Sequence, residues 1–221
     1  MTETANRPLT DVHDMVVVHR AFRREFRLLP ELVRAVRPGD TARAAVLAGH
    51  ARLVLTGLHL HHSGEDELLW PRLLERAAPD AALVHRMEVQ HERVHDALER
   101  LHPALDRWEA EARPAVTEEV AAGLDALRTA LLEHLDEEER EILPLAARHL
   151  SPEEWAQLGQ HGSGQMPMRY LPILFGAVAE EATPEEMAAI LATQPAPVRL
   201  LLRTVFARSY RRYVRRVRHG R

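Results

Sequence analysis

The sequence predicts an all-α protein built on an antiparallel, up-down-up-down four-helix bundle with a C-terminal helical extension. Three observations carry this. Apolar residues recur three and four apart through most of the first 150 residues, the period of an amphipathic helix. The breaks between these stretches are short and built from Pro, Gly and Asp, which suits antiparallel neighbours. No sustained two-residue alternation and no Asn-Gly or Asp-Gly hairpin signal occurs.

The first helix is expected over residues 11–36, with Val12, Met15, His19, Phe22, Phe26 and Leu29 along one stripe. It stops at Arg37-Pro38-Gly39-Asp40. The second, over 41–76, carries Leu47, Val54, Leu58, His61, Glu65 and Leu68. Pro71 falls inside this pattern and should kink it or end its regular part. Pro79-Asp80 opens the third, whose stripe of Val84, Met87, His91, Val94, Leu98, Leu101 and Leu105 is a regular heptad alternation that Pro103 interrupts late. Pro114 and residues 117–119 open the fourth, with Leu124, Leu127, Leu131, His134, Glu138, Ile142 and Leu145. The expected division is a bundle over 1–150 and an extension over 151–221. In the extension, Ser151-Pro152-Glu153-Glu154 and Thr183-Pro184-Glu185-Glu186 are helix starts, each with a capping hydroxyl followed by Pro. His161-Gly162-Ser163-Gly164 is expected as a flexible break. Pro195 and Pro197 precede a final helix through Leu201, Val205, Tyr213 and Val217, with Arg on its other faces.

Composition narrows the chemistry. Of 221 residues none is Cys, which excludes disulfides, zinc-thiolate sites, iron–sulfur clusters and cysteine nucleophiles. There are 14 His, an excess that asks for a reason. The longest apolar runs, such as residues 170–179, are too short for a bilayer. No charged segment followed by an apolar one opens the chain, so the expected location is cytoplasmic. The net charge of −4 hides an asymmetry. All 29 basic residues are Arg, and residues 198–221 hold nine of them with no acid. The remaining 20 stand against all 33 acids in residues 1–197. The Arg-rich helix could dock on its own acidic bundle, on another protein or on an anionic surface. Tyr210 and Tyr213 interleave with the Arg, but no DNA-binding motif accompanies them, so nucleic-acid binding is not expected.

The chemistry lies on the apolar stripes themselves. Each of the four helices places an ionisable residue among its core positions: His19, then His61 and Glu65, then His91, then His134 and Glu138. Buried ionisable groups are costly unless paired or metal-bound. Antiparallel helices would bring these positions to one level. An internal repeat sharpens the signal: His61-x3-Glu65-x5-Pro71 matches His134-x3-Glu138-x5-Pro144. A spacing of four puts His and Glu on one helical face. Two such pairs give a pseudo-symmetric site whose carboxylates can each bridge two metals. Imidazole and carboxylate without thiolate suit iron, manganese or zinc. Two irons take roughly six ligands each. Four His, two bridging Glu and an oxo or hydroxo bridge leave two positions open. His62, with Asp66, forms a competing His-x3-carboxylate pair, but only His61 keeps the spacing to Pro71 that matches Pro144. His62 is thus an alternative ligand or an outer hydrogen-bond donor.

These residues resemble those of the hemerythrin-like, or HHE cation-binding, domain. The resemblance rests on HDMVVVHRAF, HHSGEDELLWP, MEVQHERVH and HLDEEEREILP and covers roughly residues 11–150. It implies a non-haem diiron centre inside a four-helix bundle, with His19, His61, Glu65, His91, His134 and Glu138 as ligands to two iron ions. Oxygen-carrying hemerythrins use a fifth His on the third helix and an Asp five residues after the fourth helix's His. Here His91-x3-His95 has the first spacing, which makes His95 a candidate ligand, whereas the fourth helix offers Glu138 at four and Glu139 at five. The function implied is binding or sensing of a small oxidant: dioxygen, nitric oxide or peroxide. The alternatives are a diiron enzyme, peroxide-decomposing or an oxygen-dependent oxidase, and an iron-handling protein. A bundle with buried His and no metal is the bland reading.

Overall fold

A computed structural model of the chain describes residues 8–192 and 194–220; Arg221, last of the nine C-terminal arginines, lies outside them. The regular elements of the described residues are all helices, without a strand. Helix α1 spans His13–Arg34 and tolerates Pro30 inside it. Helix α2, Thr41–Gly64, starts on Asp40, whose side chain accepts from the Arg43 N–H. It runs through a π-helical turn, Glu65–Leu69, into α3, Trp70–Arg76. Helix α4, Ala81–Glu111, carries Pro103 without ending there. Helix α5, Pro114–Glu137, passes through a second π turn, Glu138–Ile142, into α6, Leu143–His149.

The two π turns give the internal repeat its physical form. Proline lacks an N–H and its ring crowds the carbonyl four residues back. In both copies the helix absorbs this by widening one turn just upstream. The Trp70 N–H bonds to the Glu65 carbonyl and the Leu143 N–H to the Glu138 carbonyl, a five-residue reach in place of four. Pro71 and Pro144 then sit in the first turn of α3 and α6, where no donor is needed. Each of these two π turns begins at the Glu of a His-x3-Glu pair.

The long helices pack in a ring, α1 on α2, α2 on α4, α4 on α5 and α5 on α1. Two apolar clusters fill it. The larger holds Phe26, Leu58, Val94, Trp108, Leu124 and Leu131. The smaller holds Met15, Leu69, Trp70, Met87 and Ile142. Each predicted His lies between the two. Along α1 the chain passes from Met15 through His19 to Phe26, and along α2 from Leu58 through His61 to Leu69. Along α4 it passes from Met87 through His91 to Val94, and along α5 from Leu131 through His134 to Ile142. The order alternates, smaller to larger and then larger to smaller, from each helix to the next.

The remaining helices coat this ring. Helix α7, Pro152–Gln165, opens with a full capping box between Ser151 and Glu154 and packs on α2. It runs through residues 161–164, so the break expected at His161-Gly162-Ser163-Gly164 is not there. His161 instead packs over Gly64, where an added Cβ would come within 3.4 Å of its ring, and bonds to Gln165. Packing has overridden glycine's weak helix propensity. Helix α8, Leu171–Glu181, lies on α1; α9, Pro184–Ala192, starts on a Thr183–Glu186 capping box. Helix α10, Ala196–Leu201, continues through a π turn, Leu202–Phe206, into α11, Ala207–His219. Helix α11 packs on α8 and α2.

A buried polar network fastens it there. Arg24 donates to Glu25 and Glu181, and His50 Nε2 lies 3.1 Å from Glu25. Tyr213 OH is 3.0 Å from His50 Nδ1, Tyr210 donates to Glu180, and Arg218 pairs with Glu180 and Glu25. Burial works against ionisation of Glu25, but His50 and Arg24 outweigh it and hold its carboxyl down at about 2. No helix among the described residues is long and apolar enough to cross a membrane.

Candidate metal centre

The six residues singled out by sequence meet in the layer between the two apolar clusters. His19, Glu65, His91, His134 and Glu138 are buried and His61 is nearly so. Two groups of ligand atoms form, each within 4.8 Å: His19, His61, Glu65 and Glu138, and His62, Glu65, His91 and His134. Glu65 belongs to both. Its Oε1 lies 3.2 Å from His61 Nε2 and its Oε2 lies 3.3 Å from His91 Nε2. Glu138 Oε2 lies 3.4 Å from His19 Nε2 and 3.6 Å from His134 Nε2. The carboxylates therefore stand between two imidazole pairs, His19–His61 with Nε2 atoms 3.1 Å apart and His91–His134 with theirs 3.2 Å apart.

The far nitrogens of three imidazoles are held from outside. His19 Nδ1 is 2.9 Å from Glu139, His91 Nδ1 is 2.6 Å from Asp66, and His134 Nδ1 is 3.1 Å from Gln90 Oε1. Gln90 gives its amide N–H to Glu137, which leaves its oxygen for His134. A ring that donates from Nδ1 presents Nε2 inward as a bare lone pair. All four oxygens of Glu65 and Glu138 are buried without accepting a hydrogen bond, and so is His62 Nε2.

The sequence-family profile described as the hemerythrin HHE cation binding domain matches residues 10–146. The chain belongs to that family. Among curated proteins, a BRUTUS-like zinc finger protein of Arabidopsis thaliana is 26% identical over 186 residues. The alignment covers 79% of this chain and 14% of that protein, so the chain spans about one seventh of its relative's length. No solved structure matches.

As a hemerythrin HHE domain the chain is metal-binding, and its donors fit a cation. Two ionised carboxylates with unsatisfied oxygens at this depth are strongly unfavourable by themselves. Without a cation the cluster must hold protons. Burial, then the charge of Glu65, pushes Glu138 up to about 8. Burial also raises Glu65. It lowers His91, but Asp66 and Glu65 outweigh it and push that imidazole up to about 9. His61, His62 and His134 are driven well below the usual imidazole range by burial and by the neighbouring rings. A cation would take the place of the retained protons.

Two residues fall differently from the spacing argument. His95 is exposed, with its ring 6.0 Å from that of His59, and it joins neither ligand group. The heptad stripe of α4 explains this: His91, Val94 and Leu98 face the core, and His95 falls on the flank. His62 is buried, stacked on His91 at 4.1 Å and nearly parallel, with its Nε2 unbonded, and it enters the second group. Sequence reasoning missed the residues that hold the rings. Asp66 follows Glu65 and reaches His91; Glu139 follows Glu138 and reaches His19. The doublets Glu65-Asp66 and Glu138-Glu139 repeat with the His-x3-Glu motif and carried that signal.

Proposed function

We propose that the chain is a cytoplasmic non-haem diiron protein that binds or senses a small oxidant such as dioxygen, nitric oxide or peroxide. The observation that supports this most is the pair of His/Glu groups sharing Glu65, one carboxylate oxygen toward each. In this reading His19 and His61 hold one iron, His91 and His134 hold the other, and Glu65 and Glu138 lie between. His62 adds a donor to the second half, which makes the two halves unequal. Bound there, the iron pair supplies reversible electron transfer toward the oxidant. The protein's residues do the rest. Asp66, Glu139 and Gln90 fix the ring orientations, and Leu58, Val94, Leu131, Met87 and Ile142 keep bulk water away. The alternating order of apolar clusters along successive helices supports an up-down-up-down bundle as the scaffold. The extension after residue 150 is read as an addition to it that could carry a sensing output.

The test is metal analysis of untagged protein with its absorption spectrum. About two irons per chain and a near-ultraviolet band of an oxo-bridged ferric pair are expected. His61→Ala combined with His134→Ala should abolish that content; an unchanged content would refute the ligand set. Zinc without a redox-sensitive spectrum would overturn the oxidant reading. A second reading, a peroxide-decomposing or oxygen-dependent enzyme, is favoured by a cavity against His62 and His91, and rapid oxygen evolution from added peroxide would select it.

A further inference from the structure

A cavity of about 520 Å³ lies between α2 and α4 and ends on the metal cluster. Its inner wall is His62 and His91, members of the second ligand group. His62 is 6% exposed and its Nε2 has no hydrogen-bond partner. Its outer rim is His59, Glu88, Glu92 and His95, of which all but the half-buried Glu88 are exposed. The chemistry of this lining is one-sided. Its polar groups are imidazoles, carboxylates, one hydroxyl and an indole, with no guanidinium among the described residues that line it. That is notable in a chain whose basic residues are 29 Arg. Another cavity, of about 690 Å³, has the opposite character: Arg43, Arg212 and Arg216 all line it.

The rim has the dimensions for a cation. The His59 ring on α2 and the His95 ring on α4 have centroids 6.0 Å apart, tilted by 37°. A first-row divalent ion sits about 2.1 Å from an imidazole nitrogen. With the nitrogen roughly 1.1 Å from its own ring centre, two rings sharing one ion have centroids at most about 6.4 Å apart. The observed 6.0 Å lies inside that limit. Neither ring has a third donor close enough to make a tight site, since only the two buried groups bring three or more ligand atoms together among the described residues. Weak capture at the mouth beside strong binding inside is the arrangement a loading route needs.

We propose that this cavity is the path by which a divalent cation reaches the buried cluster, with His59 and His95 catching the hydrated ion at the mouth and His62 receiving it inside. This rests on the metal-centre reading, and two separate observables distinguish the claims. Final metal content reports the centre; the rate of filling reports the path. The acidic lining also concentrates cations at the mouth, an effect that salt weakens.

The experiment is stopped-flow uptake of cobalt(II), followed by its visible absorption, into full-length protein stripped with a chelator and checked for helicity. Wild type is compared with His59→Ala/His95→Ala and with Glu92→Arg, and Glu185→Arg on α9 serves as a control of equal charge change. These positions are all exposed, so the variants should fold. Uptake should slow roughly tenfold or more in the double variant and in Glu92→Arg, at unchanged final content and with the control at the wild-type rate. Wild-type rates in both test variants would overturn the path. So would a reduced final content in the double variant, because His59 and His95 would then be resident ligands. A wild-type chain that takes up no cobalt or iron would overturn the centre, and the path with it.

Discussion

Asp66 and Glu139 are solvent-accessible acids of the commonest kind, yet each fixes a buried ring. Asp66 also accepts from the Trp70 indole at 2.8 Å, and Glu139 is itself gripped by Arg23 at 2.5 Å. Both carboxylates are thereby oriented before any cation arrives. Asp66→Asn and Glu139→Gln keep the shape and remove the charge. Each should weaken cation affinity about 10–100-fold, measured by competition with a chromophoric chelator, while saturating content stays the same. Unaltered affinity in both would mean the rings need no such anchors. The six inner positions were legible because a His or Glu on a leucine stripe must be paired or metal-bound to be tolerated there. Asp66 and Glu139 were marked only by the repeated doublets Glu65-Asp66 and Glu138-Glu139, which do not say whether an acid faces a ring or water, and Gln90 carried no signal at all. His62 was ranked behind His61 because the proline spacing fits only one of two adjacent histidines, whereas the cluster takes in both.

The π turns and the docking of the last helix are decided by elements. Pro71 announced a disturbance and Pro144 repeats its place, but a proline signals a kink, a stop or a widened turn alike, and only the surrounding packing selects among them. The same limit misplaced the break at residues 161–164, where contact with α2 outweighs two glycines. The fit of α11 on α8 turns on another glycine. A Cβ added at Gly176 would lie 2.2 Å from Cγ of Tyr210, against the root of a ring that is fixed by Glu180. Gly176→Ala should therefore push α11 off α8 at a cost of about 1–3 kcal/mol. It should appear as faster proteolysis after the arginines of α11, with metal content retained. Wild-type protease resistance would show that Tyr210 can move aside cheaply. By contrast, Gly162 has no neighbour within 4 Å of an added Cβ, and Gly162→Ala should be neutral or slightly stabilising by thermal melt.

At the scale of the molecule, the acidic body and the arginine-rich end are joined through the buried network around Glu25. Its carboxyl is held near 2 in the folded chain against 4.5 for a free one. A lowered acid contributes stability that is fully present above its unfolded value and is lost as pH falls toward the folded value. The window is thus about pH 4.5 down to about 2. The contribution is about 3 kcal/mol. Urea midpoints at pH 6 and pH 3 should differ more in wild type than in Glu25→Gln; equal slopes would remove Glu25 from the acid response. The general architecture was legible because long amphipathic periods and short breaks leave few alternatives. The network was not, since it depends on residues from α1, α2, α8 and α11 that only tertiary packing brings together. The division of the ring into two apolar bodies on either side of a polar layer has a dynamic consequence. The smaller body contains both short helices that follow a π turn, α3 and α6, and the larger one contains neither. That end of the ring can open by itself while the longer half stays closed. Amide exchange would then fall into two protection classes, with the boundary running through the histidines.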